Sequence, residues 1–453
     1  MTKEYDHYET YEWLGTFWTP DNAIQFSGKL TYTPENGVEL EFLYSMSGKR
    51  IEKTNYIYGA LSSGEPCTLY GCFDPDSFGF HAGKIHIYQG KLGFGCALFG
   101  ENAPPEEKYD GAWLDLTNFQ EFCHPQGYKD FAKYTSKPLQ QIKTKDLEIS
   151  LVNSGRFKFG NFFENSLYCE NEDVVSEING FFRKIRENYP DEIIYTRNDI
   201  GWILKVRADE GLGVEGVIKK VFSLESLISL LVYFPVRRKV VSVMKKSSLV
   251  EGKFEALSLL VGLFDMDKFK IDVLKKPLLH MSLPITPKNS NIADLFARWL
   301  EAEDGFELFA VMISNHFGKI HQHQLYAEIV LMLTQLEAIS YSFGKKAKEK
   351  YTYSIEKYAT VDVINFLKSY FSVDKSEKLG ECLSDLRAEV AHVGKPPKHL
   401  KSLSISALIG IARCIKMIIA CHIYKQLDIS DQQIQKFQEQ QLLHLPKPEI
   451  KNG

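Results

Sequence analysis

Neither sign of charge dominates this sequence. Its 54 Lys and Arg residues face 58 Asp and Glu, a net charge of −4 over 453 residues. No global electrostatic footprint for nucleic acid exists, so any RNA contact must rest on a local basic patch. Long uninterrupted apolar runs are missing as well: "LISLLVYFPV" is short and "ALIGIARCIKMIIACHIY" is broken by charge, so no transmembrane helix is expected. The opening "MTKEYDHYETYEW" has no basic start followed by an apolar core, which predicts no secretory signal and a cytoplasmic protein. Eight cysteines are too few and too scattered for a disulfide framework. Most sit in apolar surroundings, as buried free thiols do. No internal repeat and no low-complexity segment is present.

What remains is an average globular composition, 44% hydrophobic and 25% charged, in a chain long enough for roughly two or three domains. The N-terminal part is rich in Tyr, Phe, Thr and Gly and alternates in "GKLTYTPENGVELEFLY", where "PENG" supplies hairpin chemistry between two strand runs. Further strand runs, "NYIYGAL", "CTLYGCF", "GKIHIYQGKLGFGCALF" and "GAWLDLTNF", predict a β-sandwich or a curved sheet. After that the pattern mixes strands such as "LEISLVN" and "EIIYTRNDIGWILKVRA" with the helical runs "EDVVSEINGFFRKIRENY" and "SLESLISLLVYF". Three prolines in "KKPLLHMSLPITPKNSN" resist regular structure and mark a boundary. Beyond it the runs read as helices, among them "GFELFAVMISNHFG" and "HQLYAEIVLMLTQLEAISYSFGKKAKEK". The expected fold is multidomain α+β: a β-rich N-terminal region over residues 1–285, with a possible split near 140, followed by an all-α bundle over 291–445.

Within the bundle, "DKSEKLGECLSDLRAEVAHVG" carries an Arg and a His five positions apart. At about 100° per residue, Leu379, Leu383, Leu386 and Val390 form a core stripe. Ser384, Ala388 and Ala391 form a separate ridge of small side chains, with Arg387 on one side and His392 on the other. Such a ridge lets a second helix approach, and a two-fold axis along it would gather two arginines and two histidines in one cleft. Gly394, Pro396 and Pro397 stop the helix. The plain alternative is that Arg and His in a last helical turn only complement its dipole.

Arg387-Ala-Glu-Val-Ala-His392 resembles the R-x4-H motif of HEPN ribonucleases, with Ala388 standing where that family often has a polar residue such as Asn. "LYAEIVLMLTQLEAISYSFG" is similar to an earlier HEPN helix, whose inward acidic residue would correspond to Glu337; taken alone, Glu337 could be an ordinary surface charge. "WLGTFWTPDNAIQFSGKLTYTPENGVELEFLY" and "YGALSSGEPCTLYGCF" resemble the N-terminal domain of ApeA-like anti-phage proteins, in which a β-rich domain precedes a C-terminal HEPN domain. The resemblance spans nearly the whole chain. It implies a homodimeric endoribonuclease that needs no metal or cofactor and cuts tRNA or other single-stranded RNA loops. It also implies that the N-terminal region holds the enzyme inactive and senses a phage-derived trigger, a protein, and that no membrane is involved.

In such an enzyme the 2′-hydroxyl attacks the neighbouring phosphate. His392 would carry the proton, and Arg387 would face the charge developing on the phosphate with its planar fork. The products would be a 2′,3′-cyclic phosphate and a 5′-hydroxyl, and DNA would survive. Lys395, Lys398 and Lys401, with His399, form a basic strip after His392 that could track an RNA backbone, or simply be a solvated loop. "KKAKEK" at 345–350 and "RRK" at 237–239 are weaker candidates of the same kind. A HEPN scaffold that only recognises RNA or protein is the competing reading.

Other signals carry less. "GLGVEG" at 211–216 matches G-x-G-x-x-G, but the following "VIKKVFSL" starts β-branched and no acidic partner stands about 20 positions on, so a turn between strands is expected. Cys67, Cys72, His81, His86, Cys96, Cys123 and His124 supply soft ligands at spacings that fit no zinc finger or ribbon. Trp13, Phe17, Trp18, Tyr56, Tyr58 and Tyr70 read as core or, as a third hypothesis, as a sugar-binding face.

Overall fold

The structure, a computed structural model, describes residues 4–22, 24–46, 54–72, 76–82, 85–123, 138–154, 157–158, 171–190, 196–197, 201–246, 254–262, 272–273, 276, 278–279, 282–302, 322–345, 349–392 and 397–447. The alternating N-terminal runs become β1 (Tyr11–Trp18), β2 (Gln25–Thr33), β3 (Gly37–Met46), β4 (Tyr56–Leu61), β5 (Pro66–Cys72), β6 (Asp76–Ala82) and β7 (Ile85–Phe99). The "PENG" hairpin forms between β2 and β3, with Gly37 at φ 75°.

Six of these strands are ordered β3-β2-β1-β4-β5-β7, β6 pairs with β7 off this path, and β3 also pairs with β7. The ribbon therefore closes into a barrel rather than stacking as two sheets. The length of β7 makes this possible: its 15 residues pair with β3 from His86 to Phe94 and with β5 as far as Phe99. Closure removes exposed strand edges. Period-two alternation turns Phe26, Leu30, Tyr32, Val38, Leu40 and Phe42 into the barrel interior, with Leu30 opposite Leu40 and Tyr32 opposite Val38. A Cβ at Gly59 would stand 2.6 Å from the Phe17 ring, so glycine makes room for that ring. The segment before β1 is tied into the same body: the buried His7 ring accepts from Val261 N–H at Nε2 (3.1 Å), so its Nδ1 carries the proton and donates to Lys239 O (3.0 Å).

An open sheet continues from the barrel through β15 (Phe254–Val261), β14 (Arg238–Lys246), β8 (Tyr109–Leu116), β13 (Gly201–Leu212), β10 (Leu147–Ser154) and β9 (Gln140–Lys143). A short pair, β11 (Phe157–Lys158) and β12 (Thr196–Arg197), stands apart, and α1 (Phe119–Cys123) and α2 (Glu172–Asn188) lie in the connections. From β13 the chain passes directly into α3 (Val214–Val232), with Gly211 at φ 72° and Gly213 as N-cap. The G-x-G-x-x-G run is thus a strand-to-helix turn, which corrects the expected turn between strands. Val214, Val217 and Val221 fall on one helical face and are buried, so packing overrides the low helix propensity of β-branched residues. Buried Leu224, Leu227, Ile228, Leu230 and Leu231 follow, and α4 (Ile292–Glu301) packs on both α3 and β9. Trp299 Nε1 donates to Ser223 Oγ at 2.9 Å across that contact.

The C-terminal helices are α5 (Gln322–Ser342), α6 (Thr352–Tyr358), α7 (Val361–Phe371), α8 (Ser376–Ala391), α9 (His399–Ser402), α10 (Ile405–Gln426) and α11 (Asp431–Leu442). The run "GFELFAVMISNHFG" lies outside the described residues. α10 packs against α5, α6, α7 and α11 as the central helix of a bundle. By length and composition it is apolar enough to cross a membrane, at a mean hydropathy of 1.7, despite the charges that told against it in the sequence. In this fold 72% of that window is buried inside the protein. One continuous hydrophobic cluster runs from the open sheet through α3 and α4 into the bundle, while the barrel interior forms a separate one.

Candidate functional site

Leu379, Leu383 and Leu386 bury one face of α8, with Val390 packed against the same core. That orientation aims Arg387 at α5, where its Nη1 donates to Glu337 Oε2 at 2.7 Å. Glu337 is a hub: Tyr341, one turn further along α5, donates to Oε1 at 2.8 Å, Tyr351 OH lies 3.4 Å from Oε2, and Lys350 Nζ stands 3.9 Å from Oε1. The Glu337 side chain is 15% exposed and that of Arg387 32%. The electrostatics follow from this grouping. Burial first raises the Tyr351 phenol, with Glu337 adding to the rise and Arg387 opposing it. The hydrogen bond to Glu337 raises that of Tyr341. The result is a guanidinium held in one orientation by a carboxylate while part of it still faces solvent, an arrangement able to receive an anion.

His392 stands elsewhere. It is the C-cap of α8, exposed, with its backbone N–H donating to Ala388 O. Five residues from Arg387, it lies about 7.5 Å along the helix axis and about 140° around it. Among the described residues no hydrogen bond or ion pair joins its side chain to Arg387 or Glu337. A single chain thus brings Arg387 and Glu337 together and leaves His392 apart, with Ser384 and Ala388 partly exposed and Ala391 exposed between them.

The motif also contains a residue that the sequence reading passed over. Glu389 is buried and accepts from the backbone N–H groups of His399 (2.9 Å) and Leu400 (3.0 Å). Burial would raise its carboxyl; donation from the Leu400, His399 and Lys398 amides outweighs burial and holds it below the usual carboxylate range. Glu389 thereby clamps the chain that re-enters the bundle after α8. An acid beside the buried stripe of Leu386 and Val390 was the available signal. Lys398 and Lys401 are exposed at the two ends of this clamped turn, and Lys395 lies outside the described residues. His399 does not join them at the surface: it is buried, with Nε2 3.9 Å from Asp385 and its ring edge-on to Phe371.

Several other candidates resolve into structure. Arg238, at the centre of "RRK", is fully buried: Nη1 lies 3.0 Å from both Glu225 oxygens, Nη2 donates to Gly262 O at 2.8 Å, and the guanidinium covers the Phe222 ring. It is no surface patch. Cys67, Cys96 and Cys123 are buried free thiols, and burial pushes the first two up to about 12. The side chains of Cys72, His81 and His86, and all of His124, lie outside the described residues. Among the described residues no group of three or more His, Cys, Asp or Glu is placed to hold a metal. Phe17 and Tyr70 are core, and Trp13 packs on Tyr5 and Phe99. Trp18, Tyr58 and Tyr56 make a half-buried row with ring centroids 6.3 and 5.2 Å apart.

Comparison with known families matches residues 12–299 to ApeA N-terminal domain 1, from β1 through nearly all of α4. The match ends before the helices that carry Glu337, Arg387 and His392. No curated protein and no solved structure matches the chain.

Proposed function

This chain belongs to the ApeA N-terminal domain 1 family and is an ApeA-like anti-phage defence protein; from that premise we propose that its bundle is a HEPN endoribonuclease acting in abortive infection without a metal. The observation that carries this reading is the oriented, part-exposed Arg387 beside Glu337 on the α5–α8 pair. Two copies meeting along the Ser384–Ala388–Ala391 ridge would bring a His392 from each chain toward the two arginines. The substrate 2′-oxygen then bonds to phosphorus as the bond from phosphorus to the 5′-oxygen breaks. One His392 takes the 2′-hydroxyl proton and the other returns a proton to the leaving oxygen. Arg387 neutralises the charge that builds on the non-bridging oxygens. Lys395, Lys398 and Lys401 track the RNA backbone, and the N-terminal region restrains the bundle until a phage component arrives in the cytoplasm.

A second reading has one specific observation in its favour. Glu337 already neutralises Arg387, as a structural pair would in a non-catalytic scaffold that binds RNA or protein. Expressing wild type, Arg387→Ala and His392→Ala in cells with and without phage, and sequencing RNA 5′-hydroxyl ends, separates the two. The nuclease reading expects new ends in infected wild-type cells alone. Identical end profiles in all three strains, with defence retained, would replace it with the scaffold.

A further inference from the structure

The turn that ends α5 brings aromatic rings and lysines together next to the Arg387–Glu337 pair. Tyr341 and Phe343 are 47% and 39% exposed. α6 returns Tyr353 beside Phe343, with ring centroids 5.5 Å apart at 48°. Lys357 Nζ lies 3.4 Å from the Phe343 centroid and 5.5 Å from that of Tyr353, and Lys345 Nζ lies 5.1 Å from the latter. Lys345 is paired with Glu349 at 3.1 Å, whereas Lys357 is exposed and has no carboxylate partner among the described residues. The platform is braced from behind: the Ser340 and Ser354 hydroxyls meet at 2.6 Å, and Ser354 donates to Leu336 O. Tyr341 and Tyr351 both reach Glu337, so the platform is continuous with the candidate site.

We propose that Phe343, Tyr353 and Lys357 form a stacking subsite for an unpaired nucleotide, so that the ligand is single-stranded RNA laid over the end of α5 and the facing side of α6. An unpaired strand alternates flat base faces with phosphates, and this surface alternates ring faces with ammonium groups. When a base covers the Phe343 ring, Lys357 exchanges its cation–π contact for a phosphate. A duplex hides its base faces, and an acidic peptide would use the lysines and leave the rings idle. The placement beside the cut rests on the nuclease reading; the binding itself does not.

The test uses the full chain and fluorescence anisotropy with three short 2′-O-methyl oligonucleotides, which cannot be cleaved by 2′-hydroxyl attack: a single strand, the same strand without its bases, and a duplex. Wild type should bind the single strand about ten-fold more tightly than the abasic strand, the scale of one base stacked on an aromatic ring, and more tightly than the duplex. Phe343→Leu/Tyr353→Leu should remove that preference while leaving affinity for the abasic strand, with circular dichroism melting confirming an intact fold. Lys357→Gln should weaken both strands together. A wild type blind to the bases, or a double variant with the wild-type ratio, overturns the subsite. His392→Ala should keep the base preference, so a failed nuclease reading leaves this result standing, and cleavage without base preference sinks the subsite alone.

Discussion

Two Glu–Arg pairs of the same chemistry occupy two regions of this molecule. Between α3 and β14, Glu225 and Arg238 are each 2% exposed, and Arg238 also meets a backbone carbonyl and a ring. Between α5 and α8, Glu337 and Arg387 are 15% and 32% exposed, and two tyrosine hydroxyls and a lysine share the carboxylate. A pair sealed off from water must satisfy itself and is spent on holding the fold. A pair left at a surface contributes little stability and keeps its cation within reach of a ligand. The family match covers the region with the sealed pair and stops before the open one.

The largest effect should come from breaking the sealed pair. Arg238→Met strands a buried carboxylate and should cost about 3–5 kcal/mol, read as a lowered midpoint in urea unfolding. Glu225→Gln/Arg238→Met should recover much of that loss, because no charge is then left alone. A single variant no worse than a surface change would break the comparison.

Acid should expose the same region next. Burial first, and nearby Arg238 second, push His7 down to about 3, and only its neutral ring can accept from Val261 N–H. An unfolded histidine titrates near 6.5, so between those values the unfolded chain holds the extra proton. The stabilisation is complete above the window and falls as pH drops through it. Unfolding midpoints followed from neutral to acid pH should fall less steeply in His7→Gln than in wild type; parallel curves would remove His7 from the account.

The open pair should behave in the opposite way. Glu337→Gln should change stability by about 1 kcal/mol or less while lowering the RNA cleavage proposed for the bundle, since Arg387 loses the charge that orients it. A loss of stability like that of Arg238→Met would show that both pairs are structural. Smallest of all, Lys219→Ala removes an exposed pair with Glu215 along α3 and should leave the unfolding midpoint unchanged.

Periodicity made much of this architecture legible. The "PENG" hairpin, the alternating barrel strands and the bundle helices follow from patterns that each segment carries within itself. The stripe of Leu379, Leu383 and Leu386 could be drawn on a wheel before its neighbours were known. Barrel closure could not, because β3 pairs with β7 through residues some fifty positions apart in sequence. Nor could the start of α3 at Val214, where burial overcame local preference, or the burial of Glu389, whose partners sit ten and eleven residues on. Within the candidate site, Glu337 was suggested by resemblance, and only the packing of α8 on α5 set it against Arg387, fifty residues away.

The sequence by itself determined which segments are strands and which are helices, the start of α3 excepted, because side-chain period is a local property. Which charges are sealed, which stay at the surface, and which rings remain exposed were decided by tertiary structure alone. "RRK" and "LRAEVAH" each offer an arginine as a surface candidate on the page. What separates them is the element packed opposite: a helix and a carboxylate that close over Arg238, and a helix whose Glu337 meets Arg387 but leaves it partly in water.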